Sequence, residues 1–571
     1  MFTHAHRNVA KGGLLTVLVA LFAALAVLVS PLAHAAPVGN DEDPAITIKS
    51  KQHDQDLAAY QIFKGQQSPL PEEGADPTEP TGLTMISWGK GIDKGGLLKE
   101  LGDSTDPAFA AITGEENAAE LAAKFSGLTG ADATKLSKIV AKHIVRDGSY
   151  APVDFTFTPS ETEEGIIYEY TAKTVDAGYY VVVDRDPAKV TAATSPILKV
   201  VGPVTVDVKT SVPSHDKQVE ENSTGELGET ADYNIGDDVP FVLHGTLPSN
   251  YADFDSYKYG FKDTLSKGFT LNEDSIKVFV DGTELSEGFS VDGPNDATDE
   301  TGHYKGGKTF SVDFDDLKKA APNATADSKI DVKYTAKLND KAAIDDKGNG
   351  NKSLVYFQKS ALEGEGDHVG KTPEDHTWVF TYTVENTKVD QWTGDKLSGA
   401  EFVLTRGFTY KKDGSVDSSK NGEFAILDSN EKVVGWTPNQ DDATTVKTKA
   451  DATFSFKGLD AGNYALRETK APTGYQLPAN DMRFGISAKH QENAETGEGE
   501  LTELSLATVD GKGALGDLPT ATMKQNVTNS SGSDLPSTGG MGTVLFTAGG
   551  LAVMLLAGFG IVARNRKRAE A

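Results

Sequence analysis

Short runs in which apolar and polar residues alternate fill most of the chain. Tyr179 to Val183, Val204 to Val208, Ser275 to Val280 and Phe380 to Val384 mix β-branched and aromatic residues, often at period two, and are bounded by Gly, Asp, Asn or Pro. The pattern predicts many short strands packed as tandem β-sandwiches. One stretch departs from it. Between Glu115 and His143, Ala119, Leu121, Ala122 and Phe125, then Leu136, Ile139 and Val140, recur at helical spacing. Helices are therefore predicted on the sheet of an α+β N-terminal domain, and the expected fold class is mainly β.

Both ends read as targeting segments. Arg7 and Lys11 precede the apolar run Leu14 to Val29, which is followed by Pro31 and Ala33-His34-Ala35-Ala36-Pro37. This is the layout of a secretory signal peptide over residues 1–35, cut after Ala35, and the run is short for a membrane span. Near the other end Val544 to Ala563 is apolar and long enough to cross a bilayer. Arg564, Arg566, Lys567 and Arg568 follow it, an arrangement that keeps the preceding chain outside the cell. Leu535-Pro536-Ser537-Thr538-Gly539 stands before the span. Proline and polar clusters at Val208 to Pro213, Gly364 to Pro373 and Asn529 to Asp534 divide the rest into expected domains 36–208, 209–370 and 371–530, with a sorting tail over 531–571.

Composition narrows the function. The 571 residues include 84 acidic and 55 basic side chains, a formal charge of −29, and no cysteine. Removing two basic residues with the leader, and four basic and one acidic residue with the tail, takes the charge to −34 over residues 36–538. Such a surface repels polyanions and argues against nucleic-acid binding. Without cysteine there is no disulfide, thiolate metal site or cysteine nucleophile, so an exported chain needs another staple. Gly302-His-Tyr-Lys-Gly-Gly-Lys308-Thr309 satisfies a P-loop pattern, but polar residues precede it and the alternating Phe310 to Phe314 follows, so a hairpin turn is expected. No metalloprotease, zinc-deaminase or nucleophile-elbow motif is present, and Asp345 to Asn351 lacks the spaced acids of a calcium loop. Neither a metal nor a cofactor is expected.

The two later domains share an order of residues: a lysine at the first strand, a carboxylate in the middle and an asparagine towards the end. These are Lys217, Asp263 and Asn351, then Lys388, Glu468 and Asn526. A buried lysine loses its charge because burial penalises the ammonium, and the same burial keeps a nearby carboxyl protonated. A neutral amine can then attack an asparagine amide while the acid relays protons and ammonia leaves.

The ordered trio of LPxTG, apolar span and basic tail resembles the cell-wall sorting signal of Gram-positive surface proteins. Asn386 to Asp390, Leu397 to Leu404 and Leu459 to Tyr475 look like the opening strand and the "E box" of the prealbumin-like isopeptide domains of Gram-positive pilins. Val212 to Val219, Phe261 to Thr270 and Tyr334 to Leu354 resemble the second domain of fimbrial shaft subunits. The resemblance implies isopeptide bonds from Lys217 to Asn351 with Asp263 assisting, Asn349 and Asn339 remaining alternatives, and from Lys388 to Asn526 with Glu468 assisting. It also implies sortase cleavage between Thr538 and Gly539. Val204-Thr-Val-Asp-Val-Lys209 is similar to the end of the pilin motif whose lysine accepts the next subunit, although Asp207 and Val208 replace its Tyr-Pro.

The reading implied is a sortase-assembled shaft pilin anchored in the wall, a structural protein and sortase substrate whose only chemistry is self-modification. Its implied partners are pilus and housekeeping sortases, identical subunits, peptidoglycan, and tip or base pilins with host surface ligands. The rival is a monomeric wall-anchored adhesin built from the same domains.

Overall fold

The computed structural model describes residues 32–33 and 44–531, apart from 68–81, 129, 163–164, 174, 186–194, 209–210, 300–301, 362–368, 408, 411–415, 418–421 and 509–512. The protein is mainly β, as the alternation predicts. The signal peptide's cleavage site, the LPxTG motif, the apolar span and Lys209 lie outside the described residues. Among the described residues no helix is long and apolar enough to cross a membrane.

The N-terminal domain has two sheets and a helical layer. Its strands are β1 (Ile46–Ser50), β2 (Leu57–Gln67), β3 (Leu83–Trp88), β4 (Thr156–Thr162), β5 (Gly165–Ala172), β6 (Gly178–Asp184), β7 (Ile197–Val200) and β8 (Val204–Asp207). One sheet runs β7-β6-β2-β3 and the other β8-β1-β5-β4, with β8 parallel to β1. Strand β6 is buried on both faces, which is why it reads as a nearly continuous apolar run. Tyr179, Val181 and Val183 face the helices, whereas Tyr180 and Val182 face the second sheet.

The helices are α1 (Lys94–Gly102), α2 (Ala118–Ser126) and α3 (Gly130–Lys142). Asn117 and Glu120 close a capping box on α2, which buries Ala118, Leu121, Ala122 and Phe125. The spacing between Glu115 and His143 thus resolves into α2 and α3. Helix α1 had no such signal, because Gly95 and Gly96 open it and only Leu97 and Leu101 are buried; Asp93 accepts the amides of both glycines.

The second domain is a sandwich of β9 (His215–Glu221), β10 (Thr230–Asp232), β11 (Asp238–Thr246), β12 (Tyr259–Leu265), β13 (Lys308–Phe314), β14 (Lys329–Leu338), β15 (Asn349–Gln358) and β16 (Asp375–Phe380). Strands β9, β11 and β14 lie side by side in one sheet; the other runs β10-β16-β15-β12-β13. Gly302–Tyr304 forms a single 3₁₀ turn, and Lys308 enters β13 paired with Asp296, so the P-loop pattern belongs to a hairpin with no helix after it.

The third domain places β17 (Tyr382–Asp390) between β19 (Thr453–Leu459) and the parallel β23 (Thr522–Asn529). Its larger sheet contains β18 (Glu401–Arg406), β20 (Gly462–Lys470), β21 (Met482–Glu492) and β22 (Gly499–Thr508) in that order.

Two expected boundaries shift. The second and third domains meet at Thr381, not at 370/371, because β16 pairs with β15 and β10 while β17 pairs with β19 and β23. The polar stretch around Gly364 to Pro373 interrupts one sheet, since Val369–Lys371 still pairs with β15; a polar, glycine-containing run suits a connection within a sheet as well as one between domains. Asn529 likewise ends β23 and does not begin a linker.

One continuous apolar core runs from Val219 to Val527 and serves both later domains. Trp378, 2% exposed, donates its indole N–H to the Gly497 carbonyl at 3.1 Å. Gly458 takes φ +86°, and a Cβ there would press on Ile235 Cδ1, so the close approach of the domains favours glycine at this point.

Glu116, just ahead of α2, gives the N-terminal domain an acid-sensitive anchor. Burial pushes its carboxyl up, but the Lys124 ammonium and the Thr113 N–H and hydroxyl outweigh this and bring it down to about 2. A depressed carboxylate stabilises the fold above its unfolded value, near 4.5, and loses that contribution as pH falls towards 2. Unfolding of this domain followed from pH 7 to pH 2 should therefore be steeper below about pH 4.5 in the wild type than in Glu116→Gln.

Candidate crosslinking sites

In the second domain Lys217 projects inward from β9 and is fully buried. Strand alternation places it there: Lys217 and Val219 are buried while Asp216 points out. Asp263 on β12 and Asn351 on β15 come from the facing sheet, and both are also fully buried. Leu265 pairs with Asn351, so Asp263 lies two residues along the same face.

Lys217 Nζ donates to Asp263 Oδ2 at 2.5 Å and to the Tyr334 hydroxyl at 3.1 Å. That hydroxyl donates to Asp263 Oδ2 at 2.8 Å and accepts from Asn351 Nδ2 at 2.7 Å. Tyr334 is thus the hub joining lysine, acid and asparagine. Phe241 stacks on the Tyr334 ring and Phe310 meets it edge-on, leaving the amine in an aromatic box. Asp263 Oδ1 and Asn351 Oδ1 are buried acceptors with no donor.

The alternatives do other work. Asn349 accepts the Ala343 N–H and donates to the Ala343 and Val379 carbonyls, and Asn339 donates to Lys267 O and Thr270 Oγ1. Asp345 Oδ1 takes the N–H groups of Lys347 and Gly348, closing a turn.

In the third domain the structure gathers Lys388, Glu468 and Asn529. Lys388 Nζ donates to Asn529 Oδ1 at 2.5 Å and to Glu468 Oε2 at 3.1 Å, while Asn529 Nδ2 donates to Glu468 Oε1 at 2.8 Å. Each group thus touches the other two. Phe402 and Phe454 stack at 4.4 Å beside the amine.

Asn526, the residue expected here, is not at the site: it is exposed on the outer face of β23. The reason is parity. Met523, Gln525, Val527 and Asn529 point inward, so an even-numbered position on this strand cannot reach Lys388. The inward rhythm of Ala521, Met523 and Val527 carried that signal in the sequence. Tyr334 left a fainter trace, standing at the apolar period of Ile330, Val332, Ala336 and Leu338.

Burial lowers both lysines, with Asp263 and Glu468 opposing the shift, and raises both acids against the pull of their lysines. The direction is the same at each site because desolvation penalises both charged forms. A 2.5 Å contact also leaves only a short proton transfer between the ion pair and the neutral amine–acid pair.

Residues 382–500 match a family model described as the SpaA prealbumin-like fold domain, and residues 527–570 match the LPXTG cell wall anchor motif. The chain is 23% identical over 421 residues to the trypsin-resistant surface T6 protein of Streptococcus pyogenes serotype M6, covering 63% of this chain and 70% of that protein. It is 24% identical over 378 residues to fimbrial subunit type 2 of Actinomyces naeslundii, covering 62% and 61%. Among solved structures, the T6 backbone pilin of S. pyogenes aligns over 87% of this chain and all of its own, at 16% identity and a TM-score of 0.46.

Replacing Tyr334 by Phe removes the acceptor of two buried donors and a donor to Asp263. The second domain of Tyr334→Phe should lose about 1–3 kcal/mol, read from its denaturant midpoint.

Proposed function

We propose that this cell-wall-anchored, pilin-like chain is the shaft subunit of a covalently polymerised surface pilus, stiffened by two internal lysine–asparagine isopeptide bonds. The observation that carries the reading is the closed set of contacts among Lys388, Glu468 and Asn529 in a buried site, with the Lys217 set beside it in design.

The step needs no cofactor. The neutral lysine nitrogen adds to the asparagine Cγ, the protonated acid hydrogen-bonds the developing oxyanion, and the acid then carries a proton to the departing nitrogen. A C–N amide bond forms, the Cγ–Nδ2 bond breaks, and one ammonia leaves. In the third domain the partner is Asn529. In the second it is Asn351, where a proton on Asp263 would also supply the donor that its own Oδ1 and that of Asn351 lack. The folded sandwich holds the groups in contact and excludes water, so folding itself provides the proximity.

Between subunits, a sortase would cleave after Thr538 and transfer its carbonyl to Lys209 of the next copy. In the sequence Lys209 falls between the end of β8 at Asp207 and the start of β9 at His215. The chain acts as substrate and building material.

Intact mass of the folded chain should fall short of the sequence mass by two ammonia molecules. Asp263→Ala and Glu468→Ala should each restore one, Asn529→Ala should restore one, and Asn526→Ala none. A wild type of full sequence mass would refute the internal bonds. Separately, cell-wall extracts should show a ladder that survives boiling in detergent and disappears in Lys209→Ala; a single wild-type band would favour the monomeric adhesin.

A further inference from the structure

A second buried polar cluster lies where the second and third domains meet, away from both lysines. Glu221 ends β9, Asp232 ends β10, and His490 lies on β21 of the third domain. One ligand-capable atom from each falls within 4.8 Å of the others. Asp232 is 4% exposed, and the imidazole is stacked on Phe380 at 5.0 Å.

Two details of the geometry point to a cation. His490 Nδ1 is engaged with Thr230 Oγ1 at 2.9 Å, which orients the ring and turns Nε2 towards the carboxylates. Nε2 lies 3.4 Å from Asp232 Oδ2. A charge-assisted hydrogen bond is usually about 2.7–2.9 Å long. Two ligands of a tetrahedral ion, each about 2.0–2.1 Å from it, stand about 3.3–3.4 Å apart.

The second independent feature is Asp460. It is 5% exposed, shares a side-chain hydrogen bond with Asp232 and interacts electrostatically with Glu221, and its Oδ2 accepts from Asn222 at 2.8 Å. The two carboxylates are held in place: the Tyr382 hydroxyl donates to Asp232 Oδ2 at 2.8 Å, and the Asp232 and Ser223 amides hold the Glu221 carboxylate. Two carboxyl groups thus face one imidazole and a third stands against Asp232, an arrangement that a doubly charged ion would balance.

We propose that Glu221, Asp232 and His490 form a site for one divalent transition-metal ion of the zinc class, which pins the third domain to the second. Mixed imidazole and carboxylate ligands select this class over calcium or magnesium. Asp460 supports the site from outside the three ligands, through its hydrogen bond with Asp232. The ligands come from separate strands of two domains, so no spacing motif announces them.

The test uses the metal-stripped full-length chain purified in detergent, titrated with Co²⁺ as a spectroscopic probe and with Zn²⁺. One equivalent of Co²⁺ should give the visible absorption of a tetrahedral site, Zn²⁺ should displace it, and Zn²⁺ should raise the thermal midpoint. His490→Gln and Glu221→Gln should each abolish the absorption, and Thr230→Val should weaken binding about tenfold. Unsaturable binding, or a tetrahedral signal that survives in both His490→Gln and Glu221→Gln, would overturn the assignment. The stripped variants should melt where the stripped wild type melts, so loss of the signal is distinguished from loss of the fold. Ammonia loss, read from intact mass, is independent of this site and separates its failure from that of the isopeptide reading.

Discussion

An ammonium group taken out of water is the constraint around which the two later domains are organised. Lys217 and Lys388 have no solvent contact, and each meets a carboxyl group that is itself buried. In a dry interior neither charge is cheap to hold, so the pair is driven towards its neutral form. Everything near the amine follows from this. Aromatic faces line it, a single acid contacts it, and an asparagine amide is reached directly at Lys388 and through the Tyr334 hydroxyl at Lys217. An ordinary surface ion pair such as Lys524 with Glu385 needs none of these and does none of this chemistry.

The two sites place their groups differently, with different mechanical consequences. In the third domain, β17 receives the chain from the second domain and lies beside β23, from which the chain leaves, in parallel register. A bond from Lys388 to Asn529 would join the entry strand to the exit strand, and tension applied at the ends would bypass the sheets. In the second domain, Lys217 reaches across the sandwich to β15, and the exit strand β16 is the next strand over. With a bond from Lys217 to Asn351, load there would pass from β15 to β16 through backbone hydrogen bonds, and the core shared with the third domain would back up that joint.

The N-terminal domain solves its stability differently. Two of its buried charges form ordinary pairs: Glu116 with Lys124, and Lys138 reaching Asp255 of the second domain at 2.9 Å. Its central strand is covered by helices on one face and a second sheet on the other.

The sequence by itself determined the strand-rich class, the helical interval near Glu115 to His143, the sorting tail, and the lysines and acids of both sites. The strand class and the helical interval follow from local periodicity, whereas the tail and the lysines and acids came from the resemblance to sorting-signal and pilin motifs. The rhythm of Ala521, Met523 and Val527 hints at the asparagine of the third domain, but only the tertiary structure makes that parity decisive. Asn526 and Asn529 sit on one strand three residues apart, and which of them faces Lys388 depends on the parity that the β17–β23 register imposes. Tyr334 left only its place in an apolar period, because its role depends on three residues from three other strands converging on one hydroxyl. The domain boundary at Thr381 and the His490 cluster were out of reach for the same reason: pairing between distant strands is decided by packing, and composition along the chain does not record it.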